Sequence, residues 1–434
     1  MVSFGQEKDN SNFKLKFYLR IVNAEKCFQQ VFNIKMMNDA KSVSNNDMRL
    51  RLFSIICSLA CFSCQSGKQE ALKYRLEETA DTLSFEMSSN SSLFIKSMSV
   101  FQDDEGKEYM TFMSNEAEEI YVYDLMTENL VKTISYDMEG ANGVGPKAAG
   151  FLMKSWNEIF IPNLYLPEIS LIDSGGYKKQ TYKLDSLGNG YGFIPTRSTI
   201  GTPFVLYEDL LFGMQLPNMR LGEDAVTNSP VGLMLNLGKK EIDLAPFHYP
   251  HSVMKNSQKP SLGIETKMSY CFNGEELVLS FAFDETLYKM PLKGGTTTSH
   301  IASSSYLGKI SLPEKVPSDL ILAAKEMCEL PIYGNIIYDK YRNVYYRVAY
   351  PQKDYDMDEN FVELWQSGRG EFSIMILDEG LNVIGETLLP ENKYRSDLML
   401  LLEDGLYIST SHYKNTAFNE DRLEFQRFTL SAMR

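Results

Sequence analysis

Cys64 carries the most legible chemistry in the chain. It closes the run Met48–Cys64, MRLRLFSIICSLACFSC, which has the order of a bacterial secretory signal ending in a cysteine that can carry lipid. Arg49 and Arg51 form a short basic start, and Leu52–Phe62 is an apolar stretch. At about 11 residues that stretch suits a signal peptide and is too short to span a membrane. Ser63 supplies the small residue before the thiol. Cys61 competes, because Leu59-Ala60-Cys61 also resembles a lipid-attachment motif; Cys64 is preferred because polar QSGKQE follows it at once. Signal peptides act at a free N-terminus, so translation is expected to start at Met48, or at Met36 or Met37. Residues 1–47 are then a mis-assigned or disordered extension, 48–64 the lipoprotein signal, and 65–434 one folded domain.

Other constellations are weaker. Glu139–Pro146, EGANGVGP, has glycines that could cradle phosphate, but it lacks the G-K-[ST] ending of a P-loop and no helix follows it. It reads better as a tight connection between sheets, with Glu139 and Asn142 as candidate ligand-face residues. Asp354, Asp356 and Asp358 alternate as at the start of a Ca²⁺ loop, yet Glu359 and Trp365 stand where that loop needs its glycine and glutamate. In His248-Tyr249-Pro250-His251 the proline breaks the helix that would align two imidazoles, and no third ligand is near. No G-x-S-x-G nucleophile turn occurs. Tyr338, Tyr341, Tyr345, Tyr346 and Tyr350, with Arg342 and Arg347, form an aromatic strand pair that serves packing or stacks on a sugar or peptide. No metal, cofactor or catalytic residue is expected from these patterns.

The elements that must position such groups are strands. From Leu72 onward, β-branched and aromatic residues alternate with polar ones between turn residues. The exception is 318–328, where apolar residues fall at helical spacing. One unit recurs, an apolar strand, an Asp or Asn turn, then a second strand. It appears around Asp124, Asp173 and Asp378, with weaker copies at Asn236 and near Lys289. In each, Asp or Asn accepts backbone N–H groups in the turn, and Gly takes positive φ. Each hairpin follows another strand pair, giving four strands per unit, the make-up of a propeller blade. The units fall near 95–136, 148–184, 203–244, 266–301, 334–388 and 396–430. The last has three strands, and Lys73–Leu76 or Thr82–Glu86 is expected to supply its fourth and close the ring. The fold class is therefore all-β, a six-bladed β-propeller, with a seven-bladed propeller or paired β-sandwiches as the alternatives.

The motifs EGANGVGPKAAGF (Glu139–Phe151), NEIFI (Asn157–Ile161), YDKYRNVYYRVAYP (Tyr338–Pro351), SIMILDEGLNVIGET (Ser373–Thr387) and EDGLYISTSHYKN (Glu403–Asn415) resemble the bacterial lipoprotein family called domain of unknown function 4221. The resemblance runs from about residue 70 to the end. It implies an envelope lipoprotein with a propeller-like body and brings no assigned activity.

The formal net charge is −14, and removing residues 1–64 leaves 34 basic and 52 acidic residues, or −18. Such a surface repels phosphate backbones and anionic lipid, so no nucleic-acid partner is expected and membrane attachment rests on the anchor. After Cys64 only Cys271 and Cys328 remain, either as two buried thiols or as a disulfide allowed in an oxidising envelope. These readings describe a lipid-anchored, periplasm-facing cell-envelope protein. Its expected role is binding a ligand, an envelope protein or a glycan without catalysis. The alternative is a hydrolase or lyase acting on peptide or glycan in an axial pocket.

Overall fold

The computed structural model describes residues 72–115, 118–184, 196–216, 226–254, 266–310, 317–366 and 368–433. The signal-like run, with Cys61 and Cys64, and residues 1–47 lie outside the described residues. Four four-stranded antiparallel sheets follow one another in chain order. The first holds β2 (Ile95–Gln102), β3 (Glu108–Ser114), β4 (Glu119–Asp124) and β5 (Leu130–Ser135). The second holds β6 (Leu152–Ser155), β7 (Glu158–Pro162), β8 (Glu168–Ile172) and β9 (Lys178–Lys183). The third holds β10 (Val205–Tyr207), β11 (Leu210–Met214), β12 (Gly232–Asn236) and β13 (Glu241–Leu244). The fourth holds β14 (Met268–Phe272), β15 (Glu276–Phe281), β16 (Thr286–Pro291) and β17 (Thr298–Ile301).

An eight-stranded sheet completes the body. It joins β18 (Ile332–Asp339), β19 (Val344–Tyr350), β20 (Ser373–Leu377) and β21 (Val383–Leu388) to β1 (Tyr74–Glu86), β24 (Arg422–Ala432), β23 (Gly405–Ser409) and β22 (Arg395–Leu402). The join is the parallel pair Tyr74↔Gly385. Gly385 is required there, because a Cβ would lie 2.2 Å from the Tyr74 carbonyl oxygen. The N-terminal strand thus seats beside the C-terminal one, as expected. Both candidate segments do so, as one strand with an irregularity between Glu78 and Thr82.

The hairpin turns are built as their residues dictate. Asp124 Oδ1 accepts from the N–H of Met126 (2.8 Å) and Thr127 (3.0 Å). Asp173 Oδ1 accepts from Gly175 and Tyr177, with Gly176 at φ +80°. Asp378 and Asn236 do the same for Asn382 and Lys239.

The arrangement is propeller-like. Apolar clusters lie between neighbouring sheets. Met113, Ile134, Phe151 and Ile161 join the first sheet to the second, and Phe160 and Leu211 the second to the third. Phe212 and Phe281 join the third to the fourth, and Val278 and Tyr345 lead on to β19. Leu398, Phe425, Phe112 and Tyr123 join β22 and β24 back to β3 and β4, which closes the circuit. Burying a Leu or Phe side chain in such layers contributes about 1.5–3 kcal/mol.

Helices also interrupt the strand pattern. α1 (Leu320–Glu329) falls where apolar spacing predicted it, and its N-cap Asp319 accepts from the N–H of Ile321 and Leu322. α2 (Phe361–Gln366) was not anticipated. Its six residues carry too little periodicity, and Phe361 and Leu364 are buried against Cys328 on α1. Cys271 and Cys328 are free, buried thiols in separate clusters.

Candidate functional site

Each sheet begins with a strand or segment that meets its neighbours near the middle of the circuit. Ser198 pairs in parallel with Gly150 on the approach to β6. β14 packs on β18, β18 on β22, and β22 on β2. The turn Thr199–Thr202, closed by reciprocal backbone bonds of 3.2 Å, lies among these first strands. Its Ile200 N–H donates to the Lys96 carbonyl at 3.3 Å, and its Gly201 carbonyl accepts from Tyr270 N–H at 3.0 Å. A Cβ on Gly201 would lie 2.5 Å from Asn335 Oδ1 of β18. This turn therefore floors the end of the circuit at which the first strands begin.

Above the floor stand cations. Lys96 sits between buried Ile95 and Ser97, Arg197 between buried Thr196 and Ser198, and Lys267 between buried Thr266 and Met268. Lys96 is half-buried, and Arg197 and Lys267 are exposed between buried neighbours. Arg197 and Lys267 lie three residues before Ile200 and Tyr270.

The charges act on one another. Burial and the neighbouring Lys147 charge lower Lys96 to about 8, with Glu118 opposing. Burial and the Arg369 charge lower Lys267 to about 8, with Asp397 opposing. Burial lowers Arg197 as well. Among the described residues, Lys96, Arg197 and Lys267 form no ion pair; Lys96 Nζ donates to the Ala148 carbonyl at 3.4 Å, and Lys267 Nζ lies 4.4 Å from the centre of the Trp365 ring.

The cations around them are partnered. Lys147 pairs with Glu118 at 2.6 Å. Arg395, buried at the start of β22, grips Asp397 with two bonds (3.1 and 2.6 Å) and donates to the Leu93 carbonyl at 2.6 Å. Arg369 is buried over the Tyr350 ring and donates to the carbonyls of Met327 (2.6 Å) and Leu330. Beside them His412 is fully buried. Its Nδ1 accepts from Lys414 N–H at 3.2 Å, while its Nε2 makes no hydrogen bond among the described residues. Burial holds the imidazole down at about 4, with the Gly368 backbone pulling the other way. Cys328 is no nucleophile in this state, since burial pushes its thiol up to about 11.

The residues singled out from sequence fall elsewhere. Glu139 and Asn142 lie on the connection between β5 and β6, Glu139 exposed and Asn142 half-buried. Neither makes a side-chain hydrogen bond among the described residues. The same connection, however, delivers Lys147 to Glu118. Asp354, Asp356 and Asp358 are exposed on the loop before α2, and His248 and His251 are exposed beyond β13. A cleft of about 390 Å³ lies on the β3 and β5 side of the first sheet, against Trp156 and Ser174 of the second. Its cations are already engaged, Lys107 by Asp124 at 2.5 Å and Lys132 by Ser174 at 3.3 Å.

The central cations were not identified from sequence, yet they carry a signal. Ile95-Lys96-Ser97, Thr196-Arg197-Ser198 and Tyr394-Arg395-Ser396 repeat a cation followed by serine near the start of a sheet, and Lys267 precedes Met268 and Ser269.

The family model described as domain of unknown function (DUF4221) matches residues 73–388. The crystal structure of a member of that family from Bacteroides vulgatus superposes with a TM-score of 0.73 at 25% identity, covering 84% of this chain and all of the other. A Bacteroides fragilis protein described as a candidate exported protein aligns at a TM-score of 0.47 and 10% identity, over 83% of this chain and 96% of its own. The search of curated proteins found no match. No helix among the described residues is long and apolar enough to cross a membrane.

Proposed function

The chain belongs to the DUF4221 family, and from that premise we propose that it is a lipid-anchored, periplasm-facing six-bladed propeller that binds its ligand or partner at the central recess without catalysis. The observation that supports the reading is the meeting of the first strands around the turn Thr199–Thr202, with Lys96 and Arg197 beside that turn and Lys267 three residues from its Tyr270 contact, none of them in an ion pair among the described residues. The blade count follows if the eight-stranded sheet is taken as two four-stranded units bridged at Tyr74↔Gly385. Closed rings of hairpins hold such side chains rigidly, which favours recognition, and fold alone assigns no reaction.

The anchor rests on Cys64. Each buried CH₂ of an acyl chain adds about 0.8 kcal/mol of membrane affinity, so several chains hold a protein durably. In fractionated cells, Cys64→Ser is expected to move the protein from membrane to soluble fractions. Retention would place the anchor at Cys61 or in an uncleaved segment. For binding, Trp156→Phe leaves Trp365 as the sole tryptophan, beside Lys267. Titration of that variant with anionic, neutral and cationic small molecules is expected to change Trp365 emission for at least one class. A flat response to all three would end the recess reading.

A further inference from the structure

We propose that the central recess binds a small ligand bearing oxyanion groups, carboxylate or phosphate, gripped by Lys96, Arg197 and Lys267. This rests on the recess being the binding site and names the chemistry of what enters it.

The argument begins with a contrast of sign. The chain as a whole is strongly acidic, at −14. At the recess the balance inverts. Lys96, Lys147, Arg197, Lys267, Arg369 and Arg395 gather there, and the carboxylates acting on them among the described residues are Glu118 and Asp397. Glu118 and Asp397 are committed to Lys147 and Arg395. Lys147 bears on Lys96 and Arg369 on Lys267, which costs the protein free energy. Burial and then these like charges lower Lys96 and Lys267, and an arriving anion offsets the like-charge part of that cost.

Packing does not account for the three free cations. Among the described residues, none holds a carbonyl cluster together as Arg369 does, and none pairs with a carboxylate as Arg395 does. A methionine would fill the same volume without the electrostatic penalty. Lys96 on β2, Arg197 on the segment ahead of β10 and Lys267 just ahead of β14 offer positive charge from three parts of the circuit, which suits a compact ligand with more than one negative group. Trp365 lies under Lys267, and Tyr165, 58% exposed, acts on Arg197, so two of the cations have aromatic neighbours.

The test uses the full chain in detergent, carrying Trp156→Phe. Trp365 emission and calorimetry are followed with inorganic phosphate, with tricarballylate as a carboxylate probe, and with a neutral hexose. The expected result is saturable binding of phosphate or tricarballylate that weakens as salt is raised. Arg197→Gln with Lys267→Gln should weaken it at least tenfold, while Lys239→Gln, on an exposed turn, leaves it unchanged. An unchanged melting temperature in the double variant separates lost binding from lost fold. Which probe binds tells carboxylate from phosphate. Failure of both anions, or equal binding to the double variant, overturns the proposal. If the hexose alone changes Trp365 emission, the recess remains a binding site and its anionic specificity falls; if no probe does, both readings fall.

Discussion

Replacing Arg347 by methionine should destabilise the protein by about 3 kcal/mol. Arg347 lies in β19 and is wholly buried. Its five N–H donors are all used. Nε donates to Ser280 Oγ (2.9 Å), Nη1 to the carbonyls of Ala302 (3.1 Å) and Glu285 (3.2 Å), and Nη2 to those of Asp284 (2.6 Å) and Phe281 (3.4 Å). The guanidinium stacks 3.4 Å from the Tyr333 ring centre. The side chain therefore ties the β15–β16 corner of the fourth sheet to β19. Glu285 also accepts from Ala302 N–H, and Phe281 from Asp284 N–H, so neither is stranded by the change. The Asp284 and Ala302 carbonyls and the Ser280 hydroxyl lose the partner they now have. At about 2 kcal/mol for each buried group left unsatisfied, the loss is about 6 kcal/mol. Against it stands the cost of burying the cation, which lowers its pKa to about 10. Relief of that shift returns about 3 kcal/mol. Urea denaturation of both proteins measures the difference, and an unchanged m-value guards the comparison. A difference under about 1 kcal/mol would mean that water or backbone movement satisfies these carbonyls, and would refute the clamp. Arg347→Lys, with three donors on a flexible stem, should fall between the two.

Three further outcomes follow from the same geometry. Gly150→Ala should cost at least about 3 kcal/mol by thermal unfolding, because Gly150 has φ +99° and a Cβ there would lie 1.6 Å from the Ser198 carbonyl oxygen; wild-type stability would mean that the parallel pair is not as described. His412 makes stability fall on acidification: its folded value is about 4 against an ordinary 6.5, so between these the unfolded chain binds a proton that the folded chain refuses. The loss, complete below about pH 4, is about 3 kcal/mol, and His412→Gln should flatten that part of the stability–pH curve; an unchanged curve counts against the burial argument. Cys271 and Cys328, buried with raised thiols, should resist alkylation at pH 8 until urea unfolds the chain; peptide mapping that finds either modified in the native protein contradicts their placement.

The parts of the fold that were legible in the sequence are those set by local chemistry. Asp124, Asp173 and Asp378 announce hairpins because their carboxylates satisfy turn N–H groups within four residues, so each signal is complete inside one short window. Closure by the N-terminal strand was legible because an incomplete last unit leaves an exposed edge. α2 was not, because Phe361, 33 residues from Cys328, folds onto it together with Leu364. Glu139 and Asn142 drew attention through the glycines beside them, which serve the backbone. Gly143 would place a Cβ 2.6 Å from the Glu139 backbone, and Gly145, at φ +96°, one 2.0 Å from Asn163 Nδ2. Those glycines report close packing of a connection rather than a ligand cradle.

The central cations needed the topology, since a lysine or arginine in an alternating strand reads by itself as a solvent-facing residue. Once the strands are paired, the test for each cation is where its donors go. Arg347 spends all five on its own chain, and Arg369 and Arg395 are likewise engaged by carbonyls or Asp397. Those three are explained by folding. Lys267 has an aromatic face and no carboxylate, Arg197 has none among the described residues, and Lys96 reaches a single carbonyl at 3.4 Å. Had selection acted on stability alone, the crowded positions of Lys96 and Lys267 would favour an uncharged side chain, because crowding and like charge both disfavour the ammonium there. A cation placed under that penalty, with its donors left unused by its own chain, is what the proposed ligand site predicts and what folding alone does not explain.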